Sequence, residues 1–420
     1  MYEFTRSQEK GYNVIMSGEN VVLTGDAGAG KSYLLDKIIA DKRKEKKQVI
    51  VVAPTGVAAL HVGGATAHRT FKIPFNPIVE PPKFISNVLS GVDTVIIEEV
   101  GMCRFDVFNF IAFQILAANN KRANLLLDPI QLVLCGDFFQ LPPVMTNEDK
   151  GILEAHYGQQ IPAGYTFLSA LWDQFNFRYL CLNEVIRQKD KEFSEQLKMA
   201  RFGDTRSIEY FEDMSSYRPI EKAISLYATN KKAQAKNEVE LAEIDSPSKV
   251  YMSKITGEVK ESDKIVPDNL ELKVGARVMS VINSAGMGFV NGSLGTVVEL
   301  NTRTVTVEFD NGYSCEIAPY QWEITSYNYN NQTKKVEKNT IGTYEQLPLK
   351  LAWAITIHKS QGQTYDAVNI DPYCWDYGQL YTALSRCTDI KKLHLTSRIN
   401  PKWLVASYDV LNFYRSHTWD

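Results

Sequence analysis

The chain has 420 residues, 44% hydrophobic and 23% charged, with a formal net charge of −3. That length exceeds one ordinary hydrophobic core, so two or three domains are expected, and the composition excludes a disorder-dominated chain. The near-neutral balance excludes a uniformly basic nucleic-acid binder and leaves at most a local basic groove.

The opening residues MYEFTRSQEKGYN lack an apolar segment behind basic residues, and no apolar run reaches membrane-spanning length. A cytoplasmic protein without a membrane partner is expected, in a bacterium or a virus's host cell, with a nucleus left open. Six scattered cysteines, with no C-x-x-C and no histidine pair at zinc spacing, read as reduced packing thiols.

In chain order, VVLTG (21–25), VIVVAP (49–54), TVIIEE (94–99), LVLCGD (132–137) and RYLCLNE (178–184) are uniform apolar runs with helical stretches between them. They read as parallel strands covered on both faces in a doubly wound α/β domain, where ligands bind at the carboxyl ends of the strands. The run DKRKEKK (41–47) mixes bases with acids and reads as a solvated helix end. A second series follows in AISLYATN (223–230), LKLAWAITIHKSQG (349–362), AVNID (367–371) and LHLTS (393–397). Between the two halves of that series, LKVGARVMSVIN, GSLGTVVELN, TVTVEFDNGYSCEI and QWEITSYNY alternate and carry N-G and D-N-G turns, which predicts a small antiparallel barrel over 245–345.

GDAGAGKS, Gly25 to Ser32, follows a strand and precedes YLLDKIIADK, whose Leu34, Leu35, Ile38 and Ile39 mark one helical face. That is the context of a phosphate-binding Walker A loop. Gly25, Gly28 and Gly30 permit the turn, and the backbone from Asp26 through Ala27 and Ala29 lines it. Lys31 reaches the β and γ phosphates and Ser32 a magnesium ion. The rival reading is an ordinary glycine-rich turn.

If the ligand is ATP with Mg2+, the two acids that end VIIEEV gain a purpose. Glu98 suits the magnesium shell and Glu99 the orientation and deprotonation of water, against a solvated strand end or an ion pair. Gln140, in the CGDFFQLPP stretch that also holds Asp137, suits contact with the γ-phosphate or the attacking water. Arg187 and Arg386 suit the neutralisation of charge on a transferred phosphoryl group, or else are surface ion pairs. HRTFKIPF (68–75) joins cationic with aromatic and proline residues, so that Phe71, Pro74 and Phe75 either stack a base, form a strand-separating pin, or plug a loop.

Taken in order, GDAGAGKS, APTGVAALHVGGATAHRTF, VIIEEV, GDFFQLPPV, EVIRQKDKEFSEQLKMARFGD, TIHKSQGQTYDAV and YTALSRC closely resemble the Pif family of superfamily-one DNA helicases, relatives of the RecD-like enzymes. The likeness spans nearly the whole chain, and residues 184–204 resemble the family's signature segment. It implies two RecA-like P-loop domains with parallel sheets: residues 1–185, with a small accessory or pin insertion near 68–90, and residues 186–244 with 346–420, the barrel of 245–345 being inserted in the second. It also implies ATP-driven 5′-to-3′ translocation by a monomer on single-stranded DNA and unwinding of forked or structured DNA; the polarity comes from the resemblance alone.

Position by position, Gln8 resembles the family's adenine-reading glutamine, Arg187 and Arg386 its γ-phosphate arginines, and Gly362 lies in the motif that links nucleotide to DNA. Thr55, His68, Thr356, His358 and Lys359 fall in segments that line the DNA path of such enzymes. The chain departs from the family pattern where Glu98 stands for an aspartate and Gly101 for a serine. The longer side chain moves the carboxylate by about a bond length, which bears on how it meets the metal. An ATP-gated nucleic-acid clamp with weak hydrolysis is the alternative this departure raises.

Overall fold

The computed structural model describes residues 3–420 except 55–57, 60–62, 75, 189, 285–287, 331 and 334, and except the side chains of Ser262 and Tyr329. The chain divides into two compact units, one of Met1–Arg187, Thr325–Thr340 and Ser407–Asp420, the other of Gln188–Ile324 and Ile341–Ala406. Thr55 and Phe75 lie outside the described residues.

In the first unit, β1 (Val21–Gly25), β2 (Val49–Ala53), β3 (Ala65–Thr66), β4 (Thr94–Ile97), β5 (Gln131–Cys135) and β6 (Arg178–Leu182) form one parallel sheet in the order β3-β2-β4-β5-β1-β6. The uniform apolar runs are buried residue by residue in β1, β2, β4 and β5, as expected of strands covered on both faces. Two helices flank the start of the sheet, α1 (Arg6–Met16) and α2 (Lys31–Lys44). Leu34, Leu35, Ile38 and Ile39 of α2 pack with Val21, Leu23, Ile96, Val133 and Leu180 in one core. Each such side chain contributes about 1.5–3 kcal/mol by leaving water.

The accessory stretch is a short helix, Ala67–Phe71, followed by the proline-rich residues 72–86. Two wholly buried polar side chains of the helix Phe105–Asn124 hold it: Asp106 accepts from Ile78 N at 2.9 Å, and Gln114 accepts from Ser86 N at 2.7 Å while donating to Phe71 O at 3.0 Å.

Residues 407–420, assigned from sequence to the second domain, belong instead to the first unit. The reason is apolar burial. Phe413, on the helix Tyr408–Ser416, stacks on Phe167 at 4.2 Å and meets Trp172 and Tyr179 edge-on, and the last residue extends the free edge of β6, Cys181 N donating to Asp420 O and Asp420 N to Tyr179 O.

In the second unit, β7 (Ile224–Tyr227) opens a sheet that resumes far along the chain. Between lie β8 (Ser248–Met252), β9 (Lys254–Gly257), β10 (Asn269–Lys273), β11 (Arg277–Ser280), β12 (Leu294–Leu300), β13 (Val305–Phe309), β14 (Ser314–Ile317), β15 (Tyr320–Asn330), β16 (Lys335–Gln346) and β17 (Leu349–Leu351). Then β18 (Ala354–Thr356), β19 (Val368–Ile370) and β20 (Leu393–Leu395) join β7 in a parallel sheet ordered β18-β7-β19-β20.

The inserted strands are antiparallel, as their alternation predicts, but they do not close into the expected barrel. Their largest sheet, β14-β13-β12-β11-β17, is open, and no sheet closes on itself among the described residues. Closure needs long tilted strands with a continuous stagger. Here the two edges have only four and three residues, and the chain leaves β14 into the long hairpin β15–β16 instead of turning back to β17. The hairpin's tip, 325–340, is counted with the first unit, where Lys338 Nζ donates to Gly63 O at 2.7 Å. None of the six cysteines forms a disulfide, and no helix among the described residues is long and apolar enough to cross a membrane.

Candidate active site

The loop from Gly25 to Ser32 joins β1 to α2 at the carboxyl end of the first sheet. Gly30 adopts φ 79°, and a Cβ there would lie 2.5 Å from Gln8 Nε2; a Cβ on Gly25 would lie 2.5 Å from Leu182 O. Both positions therefore require glycine. Lys31 turns its ammonium back over the loop, donating to the carbonyls of Gly25 at 2.8 Å and Asp26 at 3.2 Å. Asp26, Ala27 and Ala29 are buried, and Gly28, at φ 84°, offers its carbonyl to Ile186 N and Arg187 N. Arg187 is thus held beside the loop by its own backbone, at the end of β6.

Gln8 is 1% exposed and caps α1 in a box with Thr5. Its amide accepts from Thr5 N at 3.0 Å and donates to Ala29 O at 3.1 Å, so it braces the 25–32 loop. A second brace escaped sequence reading: Ser7 donates through N and Oγ to Glu184 Oε2 at 2.9 and 2.7 Å, tying α1 to the end of β6. Its only trace in the sequence is a carboxylate placed just past an apolar strand.

At the end of the neighbouring β4, Glu98 is 8% exposed and accepts from Ser32 Oγ at 3.0 Å. Burial pushes its pKa up to about 7, with the nearby Glu99 carboxylate and then Asp36 adding to the rise; the Ser32 hydroxyl and the Lys31 ammonium oppose it. Glu99 has φ 50°, a left-handed conformation that costs a non-glycine residue about 1–3 kcal/mol and is concentrated at functional sites. Gly101, where the family pattern has serine, lies against the next loop, and a Cβ there would sit 2.9 Å from Asp137 O. In that loop, after β5, Asp137 accepts from Phe139 N and its carbonyl from Gln140 N; both side chains are buried.

The sheet order sets the ends of β4, β5, β1 and β6 side by side, so Glu98, Glu99, Gln140, Lys31, Ser32 and Arg187 gather at one edge of the first unit. One hydroxyl and one carboxylate already in contact are hard oxygen donors of the kind magnesium takes beside phosphate oxygens, so the pair fits that ion.

The second unit holds the other candidates. Arg386 is 2% exposed, and its guanidinium donates to Thr382 O at 3.0 Å, Gln363 O at 3.2 Å, Ser360 O at 3.3 Å and Ser385 Oγ at 2.9 Å. Ser360 and Gln363 flank Gly362, at φ 75°, in the same turn that follows Thr356, His358 and Lys359. Thr356 is buried at the end of β18 and accepts from Lys359 N at 3.3 Å; Lys359 is exposed, and burial lowers the pKa of His358.

Gln188, which sequence reasoning passed over, donates to Cys387 O at 3.0 Å beside that arginine. In the first unit His68 is half-buried and Pro74 exposed, whereas Phe71 is 1% exposed, so its ring plugs the fold and offers no face to a base.

The family model for PIF1-like helicases matches residues 3–207, and that for the UvrD-like helicase C-terminal domain matches residues 351–390. An ATP-dependent DNA helicase Pif1 of Bdellovibrio bacteriovorus is 30% identical to the chain, over 98% of its length and 92% of the relative's. The chain belongs to the PIF1-like helicase family. Among solved structures, this PIF1-like helicase is similar to Bacteroides sp Pif1 in complex with ADP-AlF4, with a TM-score of 0.85 at 30% identity over 99% of this chain and 97% of that one. It is also similar to Bacteroides Pif1 bound to ssDNA, with a TM-score of 0.70 at 31% identity over the same shares.

Proposed function

We propose that this PIF1-like protein is a DNA-dependent ATPase and helicase that moves 5′ to 3′ along single-stranded DNA and unwinds forked or structured duplexes, with two RecA-like domains as its motor. The observation that carries the reading is the Ser32–Glu98 contact at the mouth of a braced phosphate loop, in a chain alike over nearly its full length to a helicase crystallised with ADP-AlF4.

In this reading the loop's backbone N–H groups and Lys31 bind the β and γ phosphates, and Gln8 keeps the loop in register beside the base. Ser32 and Glu98 would hold Mg2+, which supplies charge neutralisation for phosphoryl transfer when bound. Glu99 takes the proton of the attacking water, Gln140 orients that water, and Arg187 and Arg386 offset the charge on the transferred group. Thr55, His68, Thr356, His358 and Lys359 line the strand. Because Arg386 and the 356–363 turn share hydrogen bonds, a shift in either is felt by the other.

A second reading is favoured by Glu98 in place of aspartate: an ATP-gated clamp with slow hydrolysis. Turnover with and without oligothymidylate separates the two, since a motor is strongly stimulated and a clamp binds tightly with negligible turnover. Lys31→Ala should abolish turnover in either case. Unwinding of a 5′-tailed duplex with none of a 3′-tailed one is expected, and the reverse preference would sink the polarity.

A further inference from the structure

The loop after β5 runs Asp137-Phe138-Phe139-Gln140 and leads into Leu141-Pro142-Pro143. Phe138 and Phe139 are 1% and 2% exposed. Two adjacent rings buried ahead of one polar residue need a surface that takes both, and the helix Tyr408–Ser416 supplies it. Phe138 meets Phe413 edge-on at 5.6 Å, and Phe139 meets Tyr414 edge-on at 5.2 Å. Successive side chains on a helix point about 100° apart, so the pair of loop rings is held from two directions.

Tyr414 is itself fixed. Its ring stacks on Trp419 at 4.3 Å, its hydroxyl meets Cys181 Sγ of β6 at 2.9 Å, and its carbonyl accepts from Trp419 Nε1 at 2.9 Å. Docking of the helix has a separate anchor in Phe413, which stacks on Phe167 and meets Trp172 and Tyr179. The Tyr414–Phe139 pair instead fixes the residue next to Gln140, where Phe139 N donates to Asp137 Oδ1 and Gln140 N to Asp137 O, both at 3.1 Å. Beyond Gln140, Leu141 and two buried prolines with locked φ hold the other side. The glutamine thus stands between two clamped stretches of backbone.

We infer that Tyr414 is a positioning residue for ATP hydrolysis, its ring holding Phe139 so that Gln140 keeps its place at the transferred phosphate. The inference rests on the proposed role of Gln140 at the γ-phosphate or the attacking water. Its test is steady-state ATP turnover of the full chain with saturating oligothymidylate, folded sites being counted with a fluorescent ATP analogue. The variants are Tyr414→Ala, Tyr414→Phe, Gln140→Ala and the double variant Tyr414→Ala with Gln140→Ala.

A misplacement of about 1 Å at a reacting centre can cost roughly 100-fold in rate, so Tyr414→Ala should lower kcat by about 10- to 100-fold while KM for ATP stays within about twofold. Tyr414→Phe keeps the ring, gives up the hydroxyl contact with Cys181, and should restore most of the turnover. Gln140→Ala should lower kcat by itself, and Tyr414→Ala should lower it no further on that background, because both act through one side chain. If Gln140→Ala slows turnover and Tyr414→Ala does not, this inference fails and the role of Gln140 stands. If Gln140→Ala turns over like wild type, the role of Gln140 fails and the inference with it. If Tyr414→Ala costs the same factor with and without Gln140, or Tyr414→Phe is as slow as Tyr414→Ala, the ring does not work through Gln140 and the inference is overturned.

Discussion

Glu98 shows how one residue can be shaped against the fold that holds it. Its carboxyl, ordinarily near 4.5, is pushed up to about 7 by burial in the folded chain. Below pH 4.5 both states hold the proton and folding is indifferent. As pH rises from 4.5 through 7 the unfolded chain ionises first, so native stability is lost across that window, and above it the loss is constant. Glu98→Gln keeps an acceptor for Ser32 and removes the charge. Without nucleotide or metal, the variant should therefore be more stable than wild type at pH 8, by at most about 3 kcal/mol, and gain much less at pH 5. Its ATP turnover should collapse, a trade of activity for stability. Equal gains in melting temperature at pH 5 and pH 8 would show that Glu98 ionises freely and that its burial carries no strain.

Among the elements, those whose signal is local were legible. The tight turn of Gly25–Ser32 was readable because only glycine tolerates the backbone at Gly25 and Gly30, and the strands because parallel sheets bury both faces. What sequence could not give was long-range docking. The segment after Ala406 has an ordinary amphipathic pattern and continues the second series of strands, so chain continuity pointed to the second domain. Its partner surface is an aromatic cluster scattered from Phe138 to Tyr179, which no spacing rule assembles. The open sheet escaped for a related reason, since alternation fixes which face a strand buries but not whether distant edges meet. Phe413 is the anchor of the docked helix, 7% exposed and stacked on Phe167. Phe413→Ala should cost about 3–5 kcal/mol in denaturant unfolding of the first unit. A loss under about 1 kcal/mol, within the range of an ordinary surface change, would mean that the helix merely rests there.

At the scale of the whole molecule, the chain passes between its two units near residue 187, along the hairpin at 324 and 340, and near residue 406, so neither unit is a continuous segment. The change of period led to the expectation of an insertion over 245–345, but the antiparallel sheet runs on through β17 to Leu351; the sequence was silent on the return of 325–340 and 407–420, because crossing back leaves no mark on composition. Function must then be tested where one residue answers for two tasks.

Arg386 is that residue. Its guanidinium ties the helix Gln379–Leu384 to the turn of Ser360 and Gln363, which follows the proposed strand-lining residues. Alanine there would strand several buried carbonyls, at a cost of about 1–3 kcal/mol for each group left unsatisfied, so a loss of turnover in Arg386→Ala would report folding as much as chemistry. Arg386→Lys keeps the charge and some of the donors but not the fork. It should fold, bind a fluorescent ATP analogue within about threefold of wild type, and lose DNA-stimulated turnover by roughly 1,000-fold or more, the range of an arginine acting on a transferred phosphoryl group. If stimulated turnover in this variant stays within about tenfold of wild type, Arg386 serves the second unit as a brace alone, and the coupling between strand and nucleotide runs through some other residue.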